Sequence, residues 1–426
     1  MKHHERLPLI PIARGAGAWL YDTQGGRYLD AISSWWVNLF GHANPRINAA
    51  LKEQLDTLEH AMLAGCTHVG AVELAERLTA LTAHTLGHAF FASDGASAVE
   101  IALKMSFHYW SNQGASQKSE FVCVANGYHG ETIGALRVTD VPLFRRAYAP
   151  MVGAAHVVRS PDTRQVDADN SVAQVTQRAL QDVRDLFVER APFIAALIVE
   201  PLVQCAAGFA MHEAAYISGL RQLCDEYGVH LIADEIAVGC GRSGTFFACE
   251  QAHIWPDFLC LSKGISGGYL PLSIVLSRDA IYQAFYDDDT ARGFLHSHSY
   301  TGNPLACRAA LAALDIFASD DVLRRNRATA ATLSRLASAW TDDARIQHPR
   351  QCGMMFAFDA RVPAAAASAF SRQMFERAAA AELLLRPIGN TVYWMPPYIL
   401  DDAELVLLAS RTHAVFDAVM RQSEFA

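Results

Sequence analysis

Short apolar runs recur between helical patterns through the middle of this chain, at Phe121 to Ala125, Ile194 to Val199, Val229 to Ala233, Phe258 to Leu261 and Leu272 to Leu276. Their alternation with helices predicts a largely parallel sheet covered on both faces, the setting in which strands read as continuous hydrophobic runs. In such a sheet, ligands bind beyond the carboxyl ends of the strands. Two of the runs lead into ionisable residues: one into Asp234, the other, 29 positions further on, into Lys263, which stands before Gly264, Gly267 and Gly268. The sheet is therefore expected to set an acid and an amine side by side at its binding edge.

That pairing suits pyridoxal phosphate (PLP). The Lys263 amine can condense with the cofactor aldehyde, while a buried Asp234 holds the pyridine nitrogen protonated so that the ring draws electrons. A buried ion pair at two strand ends is the alternative for this segment alone. The phosphate needs a cradle, and Ser93 to Ser97, with Gly95 and Ala96 at its centre, precedes a helix expected over Ala98 to Trp110. Free amides and the positive helix end would receive the dianion, although Ser-Asp-Gly is also an ordinary turn and cap. Asn126 to Gly130 follows a strand and brings Tyr128 to the same edge, to stack on the ring or simply to cap the core. Ile236, two residues beyond Asp234, would pack on the ring's other face.

A composition of 51% hydrophobic and 19% charged residues describes a globular chain with ample core. The net charge of −9, without a dense Lys/Arg cluster, argues against nucleic-acid or anionic-membrane partners and leaves small molecules as the ligands. Nine scattered cysteines without C-x-x-C spacing suit reduced thiols in a cytoplasmic protein. Neither His84 with His88 nor His296 with His298 has companions of metal-ligand type, so no metal is expected. No secretory leader is expected from residues 1 to 8, and no run approaches the roughly 20 apolar residues of a membrane span. Trp19 to Asp30 reads as a hairpin around Gly25 and Gly26, and a helix is expected after Asn44 and Pro45, with Ile47, Leu51, Leu55 and Leu58 on one face. Beyond about residue 312 the pattern changes to long Ala/Leu/Arg helices, a strand near Met354 to Phe358 and a last helix from Asp402. The expected division is a large PLP-binding domain over 46–312 and a smaller α/β domain from 1–45 with 313–426.

Gly127-Tyr128-His129-Gly130, Glu200-Pro201, Asp234-Glu235-Ile236, Gly241 to Gly244, Lys263 with its trailing glycines, and Gly302-Asn303-Pro304 together resemble the class III PLP-dependent aminotransferases, over nearly the whole chain. The resemblance implies fold type I, ping-pong transamination and a homodimer with shared active sites. It also implies that a hydroxyl residue preceding Gly302 reaches the partner's cofactor phosphate, which by position is Ser299. The element read as Gly-Pro-Thr in the family is Ser297-His298-Ser299 here, keeping the hydroxyl and adding an imidazole; His298 joins the expected cofactor residues and Ser297 the expected substrate residues.

Within the class, Ser33-Ser34-Trp35-Trp36, Leu385-Arg386-Pro387 and Tyr393 to Ile399, which includes Tyr398, are similar to the biotin-pathway branch acting on 8-amino-7-oxononanoate. A long aliphatic keto acid needs an apolar aromatic wall and a cation for its carboxylate, which Trp35, Trp36 and Arg386 would supply beside Tyr128 and Tyr398. The two tryptophans, read as neighbours on a strand, could instead be core, and Arg386 a surface charge. The donor in this branch is S-adenosylmethionine in most members and lysine in some. A segment of the type His-Pro-(Tyr/Cys)-Thr that precedes the corresponding region in the family is missing, so the native start is expected upstream of Met1. The alternatives are another class III ω-amino acid or diamine aminotransferase, an aminomutase, or a non-catalytic PLP-binding protein.

Overall fold

The computed structural model describes residue 7 and residues 9–167, 169–340 and 342–422. Met1, on which the expected upstream start bears, lies outside them. The chain divides into two compact units: the described residues of Met1–Ala50 with Gly241–Gly244 and Ala313–Ala426, and Leu51–Cys240 with Thr245–Ala312.

The larger unit is built on seven strands: β1 (His88–Ala92), β2 (Glu120–Val124), β3 (His156–Val158), β4 (Ile194–Val199), β5 (His230–Asp234), β6 (Phe258–Leu261) and β7 (Ser273–Ser277). Their order is β1-β7-β6-β5-β4-β2-β3. Neighbours are parallel from β6 through β3, and β7 runs antiparallel to both β6 and β1. The largely parallel sheet expected from sequence is therefore present, with one reversed strand inside it. Every residue of β4 is buried, which explains its unbroken apolar run.

Side-chain alternation divides the core in two. Phe121, Cys123, Ala196, Ile198 and Ile232 pack with Ala98, Val99, Ile101, Ala102 and Met105 of helix α1 (Gly95–Asn112). Val122, Val124, Leu197, Val199, Leu231 and Ala233 face the other side, toward Ala179, Val183 and Phe187 of α2 (Val172–Arg190) and Tyr216, Ile217 and Leu220 of α3 (Ala214–Tyr227). Each fully buried Ile, Leu or Phe contributes roughly 1.5–3 kcal/mol. Helix α1 starts three residues before the expected Ala98, because Asp94 caps it by accepting from Ser97 N at 2.9 Å.

The smaller unit holds two sheets. Ile12–Ala16, Trp19–Asp22 and Arg27–Asp30 form an antiparallel meander, the expected hairpin included, and Leu383–Leu384 joins its edge in parallel. Ile346–Cys352, Met355–Ala360 and Thr391–Trp394 form the second, antiparallel sheet. A helix follows Asn44 and Pro45, as expected, and Asn44 caps it by accepting from Arg46 N at 3.0 Å. The last helix, Asp402–Met420, opens on a capping box between Asp401 and Glu404. Residues 33–36 are not the strand expected for the tryptophans: all four have positive φ, with Trp35 at 72° and Trp36 at 73°, and the chain coils left-handed there.

Candidate active site

Asp234 ends β5, and Lys263 follows the end of the adjacent parallel strand β6 by two residues. Both therefore stand at the carboxyl edge of the sheet. Asp234 is 4% exposed. Its Oδ1 accepts from Ile236 N at 3.1 Å, and its Oδ2 lies 2.7 Å from His129 Nδ1. Among the described residues His129 Nε2 has no partner although it is buried. Lys263 has φ 46°, a conformation that side chains other than glycine rarely adopt, at the opening of a tight turn held by Ile265 N donating to Ser262 O. Burial pushes its amine below the usual lysine value, opposed chiefly by the negative charge of Asp234.

Sequence reasoning picked Tyr128 from the turn after β2, but its neighbour His129 is the residue on Asp234. Tyr128 is half-buried, donates its hydroxyl to Glu131 Oε1 at 3.0 Å and rests against Phe144 with ring centroids 5.2 Å apart. Burial and the Glu131 carboxylate both raise its phenol well above the ordinary value. Its backbone N–H donates to Glu200 Oε2 at 3.0 Å, and Glu200 Oε1 accepts from Cys205 N at 3.2 Å. Burial pushes the Glu200 carboxyl up to about 7, against the charge of His129. The Glu200-Pro201 motif was visible in the sequence, but nothing there tied Glu200 to Tyr128.

Gly95 and Ala96 open α1, and a Cβ on Gly95 would stand 3.0 Å from Ile236 Cδ1 and Cγ2. The loop before α1 is tied to the 294–302 segment by Ser93 Oγ and His298 Nε2, 3.0 Å apart. Ser297 and Ser299 flank His298 and are exposed. Among the described residues no group of three or more His, Cys, Asp or Glu is arranged to hold a metal ion.

Within the smaller unit the Arg386 guanidinium lies over the Trp35 ring, 3.9 Å from its centroid. Among the described residues no carboxylate pairs with it, and it lines a cavity of about 890 Å³ with Leu9, Ile10, Ile12, Phe375 and Leu384. Trp36 and Tyr398 point inward. Trp36 donates its indole N–H to Tyr393 OH at 3.1 Å, and Tyr398 meets Phe40 edge-on at 6.0 Å. The left-handed coil thus sends one tryptophan outward and the other into the core.

A family model described as aminotransferase class-III matches residues 1–416. The adenosylmethionine-8-amino-7-oxononanoate aminotransferase of Helicobacter pylori is 42% identical over 412 residues, covering 95% of this chain and 91% of that protein. That of Geobacter sulfurreducens is 35% identical over 421 residues, covering 96% and 92%. The crystal structure of the Methanocaldococcus jannaschii enzyme of the same name superposes with TM-score 0.91 at 31% identity, over 98% of this chain and 95% of that one. An omega transaminase from Pseudomonas jessenii in complex with PMP superposes with TM-score 0.94 at 26% identity, over 99% and 95%. With a matching family model over nearly its full length, the chain belongs to the class-III aminotransferases and is a PLP-dependent enzyme of fold type I.

Proposed function

We propose that the enzyme transfers an amino group from S-adenosylmethionine to 8-amino-7-oxononanoate, giving 7,8-diaminononanoate for biotin biosynthesis by a ping-pong reaction. The observation that carries this reading is Arg386: a cation without a carboxylate partner among the described residues, stacked on Trp35 and lining an apolar cavity of about 890 Å³. Arg372, Tyr28, Ser368 and Ser371 line the same cavity, and a largely apolar wall with a cation free to take a carboxylate suits a long aliphatic keto acid. The names of the Helicobacter, Geobacter and Methanocaldococcus relatives support the same choice.

The residues of the larger unit fit PLP. The N–H groups of Gly95 and Ala96, which have no acceptor among the described residues, suit a phosphate at the start of α1, where the lack of a Cβ on Gly95 lets the backbone lie close against Ile236. Asp234 Oδ1, with one N–H donor already on it, keeps a lone pair for a pyridinium N–H, and Ile236 and Tyr128 would bound the ring. Bound PLP supplies an aldehyde that accepts the amino group and an electron-poor ring that takes up an electron pair from the substrate carbon. Lys263, as the catalytic residue, would hold the cofactor through Nζ and, when free, would move the proton at the donor carbon; its lowered proton affinity suits that work. Asp234 keeps the ring nitrogen protonated, and His129 steadies Asp234. Tyr128, Ser297 and Trp35 are assigned to the substrate side, with Trp36 and Tyr398, which point inward, supporting it from behind.

The functional unit in this reading is a homodimer, each chain having a large PLP-binding domain (46–312, less residues 46–50 and 241–244, which group with the smaller unit) and a smaller one, with Ser299 of each chain reaching the other's phosphate. Exposed Met62, Val69, Val72, Leu295 and Tyr300, on segments joined by His68 Nε2 and Gly302 O 2.7 Å apart, support a second copy as partner. Nine free thiols support a cytoplasmic setting, and among the described residues no helix is long and apolar enough to cross a membrane.

Replacing Arg386 by Ala tests the acceptor. A charge-assisted contact of about 1.5–3 kcal/mol corresponds to roughly one to two decades in affinity, so KM for 8-amino-7-oxononanoate should rise by that factor with the cofactor spectrum unchanged. The second reading, a general ω-amino acid or amine transaminase, is favoured by the likeness to the Pseudomonas jessenii enzyme. It stands if the wild-type enzyme ignores the keto acid and accepts succinic semialdehyde instead.

A further inference from the structure

We propose that His298 is a positioning residue for the cofactor phosphate, orienting the Ser93 hydroxyl as a donor to it. The backbone N–H of Tyr300 donates to His298 Nδ1 at 3.2 Å. A backbone N–H can only donate, so Nδ1 is the acceptor nitrogen and the neutral ring carries its proton on Nε2. Nε2 lies 3.0 Å from Ser93 Oγ and therefore donates to it. The imidazole is itself fixed: His298 N donates to Thr301 Oγ1 at 3.1 Å, and Thr301 N returns to His298 O at 3.1 Å. With its oxygen accepting from His298, Ser93 is left with an O–H to give, and among the described residues no acceptor takes it. Ser93 sits half-buried, two residues before Gly95 at the start of α1. A phosphate at that helix end meets the acceptor requirement of the Ser93 proton. In place of a proline-containing turn, the chain thus carries a relay from Tyr300 N–H through the imidazole to Ser93.

This inference rests on the phosphate lying at Gly95 and Ala96, and the experiment separates the two. The full-length enzyme is freed of cofactor, and the dissociation constants of PLP and of pyridoxal, which lacks the phosphate, are measured by fluorescence titration. Wild-type enzyme binding both equally would overturn the phosphate site itself. If the site stands, Ser93→Ala should weaken PLP binding about tenfold and His298→Ala about three- to tenfold, with pyridoxal binding unchanged in both. His298→Gln, whose amide N–H can stand where Nε2–H does, should recover most of the loss. In the Ser93→Ala background, His298→Ala should add less than about twofold, since the imidazole acts through that hydroxyl. Additive losses, equal weakening of pyridoxal, or unchanged PLP affinity in His298→Ala would each overturn the role assigned to His298.

Discussion

At the scale of single residues, the chemistry turns on a buried carboxylate and what holds it. Asp234 is 4% exposed and bonded at 2.7 Å to His129, itself buried, so the pair can be perturbed from either side. His129→Ala leaves a buried carboxylate oxygen without its donor, at about 1–3 kcal/mol, whereas Asn can place an amide N–H where Nδ1 stands. Denaturation midpoint and kcat should therefore fall more in the Ala variant than in the Asn variant; equal losses in both would mean that the hydrogen bond is irrelevant. Lys263→Ala should still fold and bind PLP through its phosphate while losing turnover by several orders of magnitude. Turnover near the wild-type rate would remove Lys263 from the reaction. Asp234 and Lys263 were legible because strand ends in an α/β sheet fix where their side chains go. His129 was not, since which of two adjacent residues faces the carboxylate depends on turn dihedrals such as φ 63° at Asn126 and 122° at Gly130. The left-handed coil at residues 33–36 was equally hidden, because no propensity favours positive φ at two bulky tryptophans.

At the scale of elements, hydrophobic pattern carried most of the fold, and it failed where an element was short or its direction was at issue. Strand β3 has three residues, too few for a periodic signal, and no local sequence feature announces that β7 runs against its neighbours. Elements are also held by polar stitches. Just past the end of β5, Glu235 accepts from Ala248 N at 2.6 Å and Cys249 N at 2.8 Å, fixing the turn over Ala248–Ala252. Burial pushes its carboxyl up to about 7, against the pull of those two N–H groups. A carboxyl raised in the folded state binds its proton more tightly there than in the unfolded chain. Its contribution to stability is therefore full below about pH 4.5 and is lost as pH rises through about 7, on the order of 3 kcal/mol at most. Glu235→Gln, which cannot ionise, should flatten the decline of stability between pH 5 and 7.5. An unchanged slope of urea midpoint against pH would show that Glu235 does not titrate in that window.

At the scale of the whole molecule, the expected homodimer makes a demand that no single chain can meet. Ser299 is exposed and sits one residue beyond His298, which is bonded to Ser93 of its own chain. If Ser299 completes the partner's phosphate site, each active site draws its lysine from one chain and a phosphate hydroxyl from the other. Two differently damaged chains can then repair one another. Lys263→Ala is inactive for want of its amine, and Ser299→Trp should be inactive because a bulky side chain enters the partner's phosphate site. In a mixed dimer both lesions fall on the same composite site: the one built from the Lys263→Ala chain's own cradle and the obstructing loop of its Ser299→Trp partner. The other site then has a lysine and an intact serine. Random exchange at equal concentrations gives about half mixed dimers, each with one working site, so activity should recover to roughly a quarter of the wild-type value. The measurement is turnover after subunit exchange, with exchange verified by native mass spectrometry of differently tagged chains. Exchange without recovered turnover would mean that each chain completes its own phosphate site, and the shared-site reading would fall.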